Sequence, residues 1–190
     1  GVFYPLADIE AFCRCFSGVV LLDEAYVDFA GGRSGLELAK RLPNVLVCRT
    51  MSKSFSLAGL RLGYAIGSAE LIGALYKLKD SYNVDRLAQA VALAALGDLP
   101  WMQDNARRIA ATRERVAGEL EKRGFQVIPS AANFLFVEPP GGVSAAELFT
   151  TLRTKKILVR YFPGGRTGRY LRVSIGTDAQ MDAFLAALPA

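Results

Sequence analysis

The stretch Gly18-Val19-Val20-Leu21-Leu22-Asp23-Glu24-Ala25-Tyr26 decides the fold, because four apolar residues break abruptly into two carboxylates and a phenol. A run this short, bounded by Gly18 and rich in β-branched side chains, predicts a buried strand over Gly18–Leu22. Its polar end then lies at the carboxyl end of a strand, where ligands gather in open α/β sheets. Two similar runs, Val45–Cys48 and Leu62–Gly67, predict further strands. Helical periodicity fills the sequence around them at Ala7–Phe16, Gly35–Arg41 and from the cap Asp85 to Leu96, with Gly97 as a stop. These are the marks of an α/β layer. Three strands make a small sheet for that architecture, and a parallel sheet is normally covered on both faces and fed by more crossover units. The expectation is therefore that part of the sheet lies upstream. The opening Gly1-Val2-Phe3-Tyr4-Pro5, without an initiator Met, a basic region or an apolar signal core, points the same way.

Further along, a long amphipathic helix is predicted over Pro100–Arg123, with proline in its first turn and Gly124 just past its end. Beyond it the pattern changes to strands at Phe125–Pro129 and Phe134–Val137, a helix at Ala145–Lys156, strands at Ile157–Tyr161 and Tyr170–Ile175, and a helix at Asp178–Leu188. That order predicts a compact α+β unit. The domain boundary is placed near Gly97–Pro100, giving residues 1–97 and 98–190 with the long helix linking them.

Composition excludes several classes of function. At 190 residues, 52% hydrophobic and 22% charged, the chain can bury a sizeable core. Its apolar runs are far shorter than the roughly 20 residues a spanning helix needs, so no membrane partner is expected. The net charge of +5 comes from dispersed residues. Arg107, Arg108, Arg113, Arg115, Lys122 and Arg123 alternate with Glu114, Glu119 and Glu121, which reads as a solvated helix face and argues against a nucleic-acid partner. Cys13, Cys15 and Cys48 have no metal-type spacing, and there is no histidine in the chain. No metal site and no disulfide framework are expected, and a reducing cytoplasm fits best. Without histidine, a Ser-His-Asp or Cys-His mechanism is excluded within these residues.

The chemistry must then come from other side chains, and two successive strand ends supply them. Asp23 and Tyr26 follow the first strand; Arg49-Thr50-Met51-Ser52-Lys53-Ser54-Phe55 follows the second; Arg61 comes eight positions after Lys53. Pyridoxal phosphate offers an aldehyde, a pyridine nitrogen, a phenolic oxygen and a phosphate, and each of these finds a partner. A partly desolvated lysine amine condenses with the aldehyde and, once released, moves the substrate's α-proton, the role of Lys53. A carboxylate keeps the pyridine nitrogen protonated so that the ring takes up carbanion electrons, the role of Asp23. Tyr26 donates to the ring oxygen, while Ser52 and Arg61 hold the phosphate. Taken singly, Asp23 reads as a turn carboxylate, Tyr26 as a half-buried aromatic and Lys53 as a solvated cation; it is their joint placement that selects the cofactor. Arg61 sits within an apolar run, where an unpaired cation is costly, so an anionic partner is expected for it.

The runs Asp23-Glu24-Ala25-Tyr26, Arg49-Thr50-Met51-Ser52-Lys53, Gly59-Leu60-Arg61-Leu62-Gly63-Tyr64, Asn133-Phe134-Leu135-Phe136 and Leu171-Arg172-Val173-Ser174-Ile175-Gly176-Thr177 resemble the fold-type I aminotransferases, specifically the histidinol-phosphate aminotransferase group. The resemblance covers nearly the whole chain. It implies an α/β fold made of the remainder of a large cofactor-binding domain, mostly parallel sheet with helices, plus a small α+β C-terminal domain. It also implies a cytoplasmic, pyridoxal-phosphate-bound homodimer that exchanges an amino group between histidinol phosphate, or a similar amino donor, and 2-oxoglutarate in histidine biosynthesis. Arg172 occupies the position that binds the substrate's anionic group, a carboxylate or a phosphate in turn, as a ping-pong reaction requires. Asn133 is assigned a contact near that anion, and Arg160 a supporting one. The family's Gly-rich phosphate segment, its asparagine on the ring oxygen and its tyrosine reaching across the dimer belong to an upstream half that these residues do not contain. Two rivals remain open on these motifs: a threonine-phosphate decarboxylase-like enzyme, and a non-enzymatic aminotransferase-like regulatory domain.

Overall fold

The computed structural model describes residues 1–189. Contacts divide the chain into two units, one comprising Phe3–Ala106 and the other Gly1–Val2 with Arg107–Ala190.

In the first unit, α1 (Leu6–Cys15) leads into β1 (Val20–Asp23), then α2 (Leu36–Arg41), β2 (Val45–Thr50) and β3 (Gly63–Ile66). These strands form a sheet in the order β1-β2-β3. β1 and β2 are parallel, with Val20 opposite Val45 and Asp23 opposite Cys48. The β2–β3 pairing is antiparallel, with Val47 opposite Ile66 and Thr50 opposite Gly63. The connection over residues 51–62 holds only an irregular loop and a single 3-10 turn, without the crossover helix that usually returns a chain parallel. Central β2 is apolar on both faces: Val45 and Val47 are fully buried and Leu46 nearly so. Val45 and Val47 pack with Cys13, Leu38, Ala39 and Leu42, joined by Val20 and Leu22 from β1. β1 instead alternates, and Leu21 on its other face is 55% exposed.

The unit continues with α3 (Ala69–Leu78), a helix that sequence periodicity left unassigned and that buries none of its residues. Its start is nevertheless written in Ser68, whose hydroxyl accepts the Leu71 N–H. α4 (Arg86–Leu96) begins as expected, with the Asp85 carboxylate accepting the Ala88 N–H at 2.9 Å. Ala92 of α4 and Met102 enclose Met51 and Phe55, the apolar neighbours of Lys53.

α5 (Leu99–Lys122) carries the chain into the second unit. It ends where Gly124 takes φ +80°, a left-handed conformation in which the Phe125 N–H reaches back to the Leu120 carbonyl. Then come β4 (Gln126–Ile128), β5 (Phe134–Glu138), α6 (Ala145–Thr154), β6 (Arg160–Tyr161), β7 (Leu171–Ser174) and α7 (Asp178–Ala187). The sheet order is β4-β5-β7-β6, with antiparallel pairings. Leu135, Val137, Leu171 and Val173 all face one side, where Val116, Leu120, Leu148, Leu152 and Phe184 complete the core. That single covered face is the usual arrangement for an antiparallel sheet.

The basic stretch of α5 is less solvated than the alternating pattern predicts. Arg113 is 7% exposed and donates to the Ala132 carbonyl at 2.8 Å, so this position belongs to the packed face. Arg115 pairs with Asp178 and Asp182, and Arg123 donates to the Leu185 carbonyl, tying α5 to α7.

Candidate active site

The parallel pairing of β1 with β2 sets the site in the first unit, because it brings both polar strand ends to one edge of the sheet. Asp23, the last residue of β1, is exposed and accepts the Ala25 N–H at 3.0 Å, which turns the chain sharply away. The turn delivers Tyr26 to the start of a one-turn 3-10 helix, Val27–Phe29. From the end of β2 the chain enters an irregular loop in which the Leu57 N–H returns to the Met51 carbonyl and the Ser56 N–H to the Lys53 carbonyl. Met51 and Phe55 are buried, whereas Lys53 is only half-buried. The Lys53 ammonium lies 5.3 Å from the centroid of the Tyr26 ring and makes no ion pair among the described residues. Its positive charge is held by the ring's quadrupole, a weak partner that leaves the amine available.

Ser52 sits beside this pair. Its N–H donates to Thr50 Oγ1 at 3.1 Å, and the two hydroxyl oxygens are 2.9 Å apart. Arg61 differs from the expectation that an apolar run would bury it. It is exposed, adopts φ +53°, and donates to the Ala58 carbonyl at 2.9 Å. The run is interrupted at this residue because β3 starts only at Gly63, so burial supplies no reason for an anionic partner; the guanidinium's openness to solvent leaves it accessible to one.

A charged network that sequence reading missed backs the site. The Glu24 carboxylate, next to Asp23, accepts from Arg49 Nε at 3.0 Å and Nη2 at 2.9 Å, from the Ser34 hydroxyl, and from the Gly35 N–H at 2.5 Å. Burial pulls the Arg49 pKa down, but the hydrogen bonds and charge of Glu24, with Tyr64, hold it above its ordinary value. Two adjacent carboxylates at a strand end thus divide their work: Glu24 braces the strands and Asp23 stays open. The only signal in the sequence is an acidic residue and an arginine at equivalent strand ends, which is uninformative until the register is known. At Cys48, opposite Asp23, burial and then the Asp23 charge push the thiol pKa up, which disfavours the thiolate.

The second unit places the anion-binding candidates. Arg172 lies between buried Leu171 and Val173, so its side chain takes the opposite face of the sheet from the core. Directly across from it in the pairing of β6 with β7 stands Arg160. Like charges facing each other across strands repel unless an anion lies between them. Each guanidinium covers an aromatic ring, Arg172 over Phe134 at 5.0 Å and Arg160 over Phe162 at 5.5 Å. Arg172 Nε is buried without a hydrogen-bond partner, a cost that an anion would remove. Asn133 lies just before β5; its carbonyl accepts the Ile175 N–H at 2.9 Å and so continues the ladder.

An amine over an aromatic ring after β2, and an open carboxylate ending the adjacent parallel strand, mark this end of the sheet as the candidate site on an α/β scaffold. The chain belongs to the aminotransferase class I and II family, whose model matches residues 1–188. It is 49% identical over 188 residues to histidinol-phosphate aminotransferase from Citrifermentans bemidjiense, covering 99% of this chain and 53% of that protein. Against histidinol-phosphate aminotransferase 2 of Burkholderia mallei the identity is 47%, covering 97% and 52% respectively. The crystal structure of histidinol-phosphate aminotransferase from Sinorhizobium meliloti in complex with pyridoxal-5'-phosphate superposes with a TM-score of 0.88 at 30% identity, over 100% of this chain and 53% of that one. The chain therefore spans about half the length of the curated relatives it matches.

Proposed function

We propose that this chain is the part of a pyridoxal-phosphate-dependent aminotransferase that carries its reactive lysine, acting on histidinol phosphate or a similar amino donor with 2-oxoglutarate in histidine biosynthesis. Residues 1–97 are read as the C-terminal part of the cofactor-binding domain and 98–190 as a small domain with its linking helix, within a cytoplasmic homodimer. The observation that carries the reading is the Lys53 ammonium held 5.3 Å from the Tyr26 ring centroid, on the segment following β2, with Asp23 ending the adjacent parallel strand.

The residues fit the cofactor in kind. Lys53 supplies the amine, Asp23 the carboxylate for a pyridinium nitrogen, Tyr26 the phenol for the ring oxygen, and Ser52 with Arg61 the hydroxyl and cation for a phosphate. When bound, pyridoxal phosphate supplies the electron sink that lets an amino acid's α-proton leave. Lys53 would be the group that takes and carries that proton at Nζ. Asp23 is exposed and its carboxylate is fixed by the Ala25 N–H, which suits it to face a ring nitrogen. Arg172, supported by Arg160, binds the phosphate of one substrate and the Cα-side carboxylate of the other in turn, and the buried Arg172 Nε gains the acceptor it lacks. Asn133 orients that anion from the strand end.

Absorbance tests the reading. The full-length protein loaded with pyridoxal phosphate shows a visible cofactor band that Lys53→Ala abolishes, and it converts histidinol phosphate to the ketone with glutamate formed from 2-oxoglutarate. A band that survives Lys53→Ala rejects the assignment; carbon dioxide released from threonine phosphate, without amino transfer, selects a decarboxylase instead.

A further inference from the structure

Asp28 and Ser54 take no part in the chemistry assigned above, yet they join the two segments that do. Ser54 follows Lys53 directly and is 3% exposed, one of the few buried polar residues of the chain. Its hydroxyl donates to Asp28 Oδ2. Asp28 lies two residues past Tyr26, inside the same 3-10 turn. The loop after β2 thus has three inward anchors, Met51 and Phe55 in an apolar cluster and Ser54 on a carboxylate, with Lys53 left to point elsewhere. The first two are greasy contacts that tolerate sliding. The third is a directional, charge-assisted bond, and it is the one that ties the lysine segment to the tyrosine segment.

We propose that the Asp28–Ser54 hydrogen bond is a positioning clamp that fixes the spacing between the Lys53 amine and the Tyr26 phenol. The inference rests on the cofactor reading given above and extends it to two residues outside the reacting groups. Both segments are irregular: beyond the Met51 N–H bond to the Leu62 carbonyl the Lys53 loop is closed only by local turns, and the Tyr26 turn is a single turn long. Without a cross-link their relative position rests on few main-chain bonds, and displacements of about 1 Å at a reacting group are enough to matter. Asp28 and Ser54 are spent on each other, so they act as positioning residues through their neighbours.

The clamp has a spectroscopic consequence. A phenol donating to the cofactor's ring oxygen competes for that oxygen with the proton on the lysine nitrogen, and so keeps that nitrogen's proton affinity low. Loosening the clamp lets the phenol drift and raises the affinity. The test uses the full-length protein loaded with pyridoxal phosphate, titrating the visible band with pH and measuring the thermal midpoint of the same samples. Ser54→Ala raises the titration midpoint by about half a unit, roughly a threefold change in proton affinity. Asp28→Ala does the same, and the double variant shifts no further than either single one, because one bond is lost in each case. Asp28→Asn, which keeps the shape and one acceptor oxygen, moves the midpoint less than Asp28→Ala and carries the comparison if Ser54→Ala does not fold. Unmoved or lowered midpoints overturn the proposal, even if the thermal midpoint falls, since a purely structural bond changes stability alone. Lys53→Ala separates the two readings: loss of the band together with unmoved midpoints sinks the clamp only, whereas a band that persists in Lys53→Ala sinks the cofactor assignment and the clamp with it.

Discussion

Replacing Glu24 by alanine is the most discriminating perturbation of the scaffold under the site. The Glu24 and Arg49 side chains keep only 11% and 21% of their surface in water, and the carboxylate also accepts from Ser34 and Gly35. Removing one member of a buried ion pair costs about 3–5 kcal/mol, mostly because the other charge is left uncompensated. Arg49 retains some solvent, which places the expected loss near the lower limit, about 3 kcal/mol. With a urea dependence of roughly 1–3 kcal/mol per molar, the unfolding midpoint falls by about 1–3 M, read by circular dichroism. The double variant Glu24→Leu/Arg49→Met leaves no stranded charge and recovers most of the loss, because an apolar pair of similar volume is often as stable as the ion pair it replaces. A loss below about 1 kcal/mol for Glu24→Ala, the range of exposed pairs, refutes the bracing role. So does a double variant less stable than the single one.

The core of the second unit yields a simpler expectation: Leu120→Ala, at a position with no exposure, costs about 2–5 kcal/mol in the same urea experiment. In the active enzyme, Arg172→Ala raises the KM for the phosphorylated donor at least about tenfold, as loss of a charge-assisted contact implies, and Arg160→Ala raises it less; unchanged KM values for both count against the anion site. Acid dependence follows from Asp178, whose pKa is lowered by the hydrogen bond from Thr112 and then by Arg115. A depressed carboxylate stabilises the fold above its unfolded value of 3.8, and that contribution disappears as pH falls through the lower folded value. The stability gap between the native protein and Asp178→Asn is therefore present at neutral pH and closes below about pH 4, and a gap that widens on acidification contradicts the assignment.

Legibility differed between elements for identifiable reasons. The buried strand Val45–Thr50 and the capped helix Arg86–Leu96 are local facts, written as an apolar run and as Asp85 before an alanine-rich periodic stretch. The amphipathic pattern of α3 and its Ser68 cap were readable in the sequence, and only its lack of buried residues needed the structure. Arg61 misled because an apolar run predicts burial only where the strand continues, and here a left-handed residue breaks it. Arg113 misled in the opposite sense, since alternation of charges along a helix does not say which side meets the Ala132 carbonyl. Glu24, Arg49, Asp28 and Ser54 had no readable role at all, because each acts through a partner 25 or 26 residues away.

The sequence by itself determined the chemistry on offer: which strand ends are polar, which lysine stands among hydroxyls, and which arginines interrupt apolar strands. These follow from residue type and spacing, which are local. Only the tertiary structure decided which of those groups meet, that the lysine rests on the tyrosine ring, that Arg160 faces Arg172, and that one of two neighbouring carboxylates is consumed in bracing while the other stays open. Strand register and loop packing fix such pairings, and both are set by contacts between residues far apart in the chain.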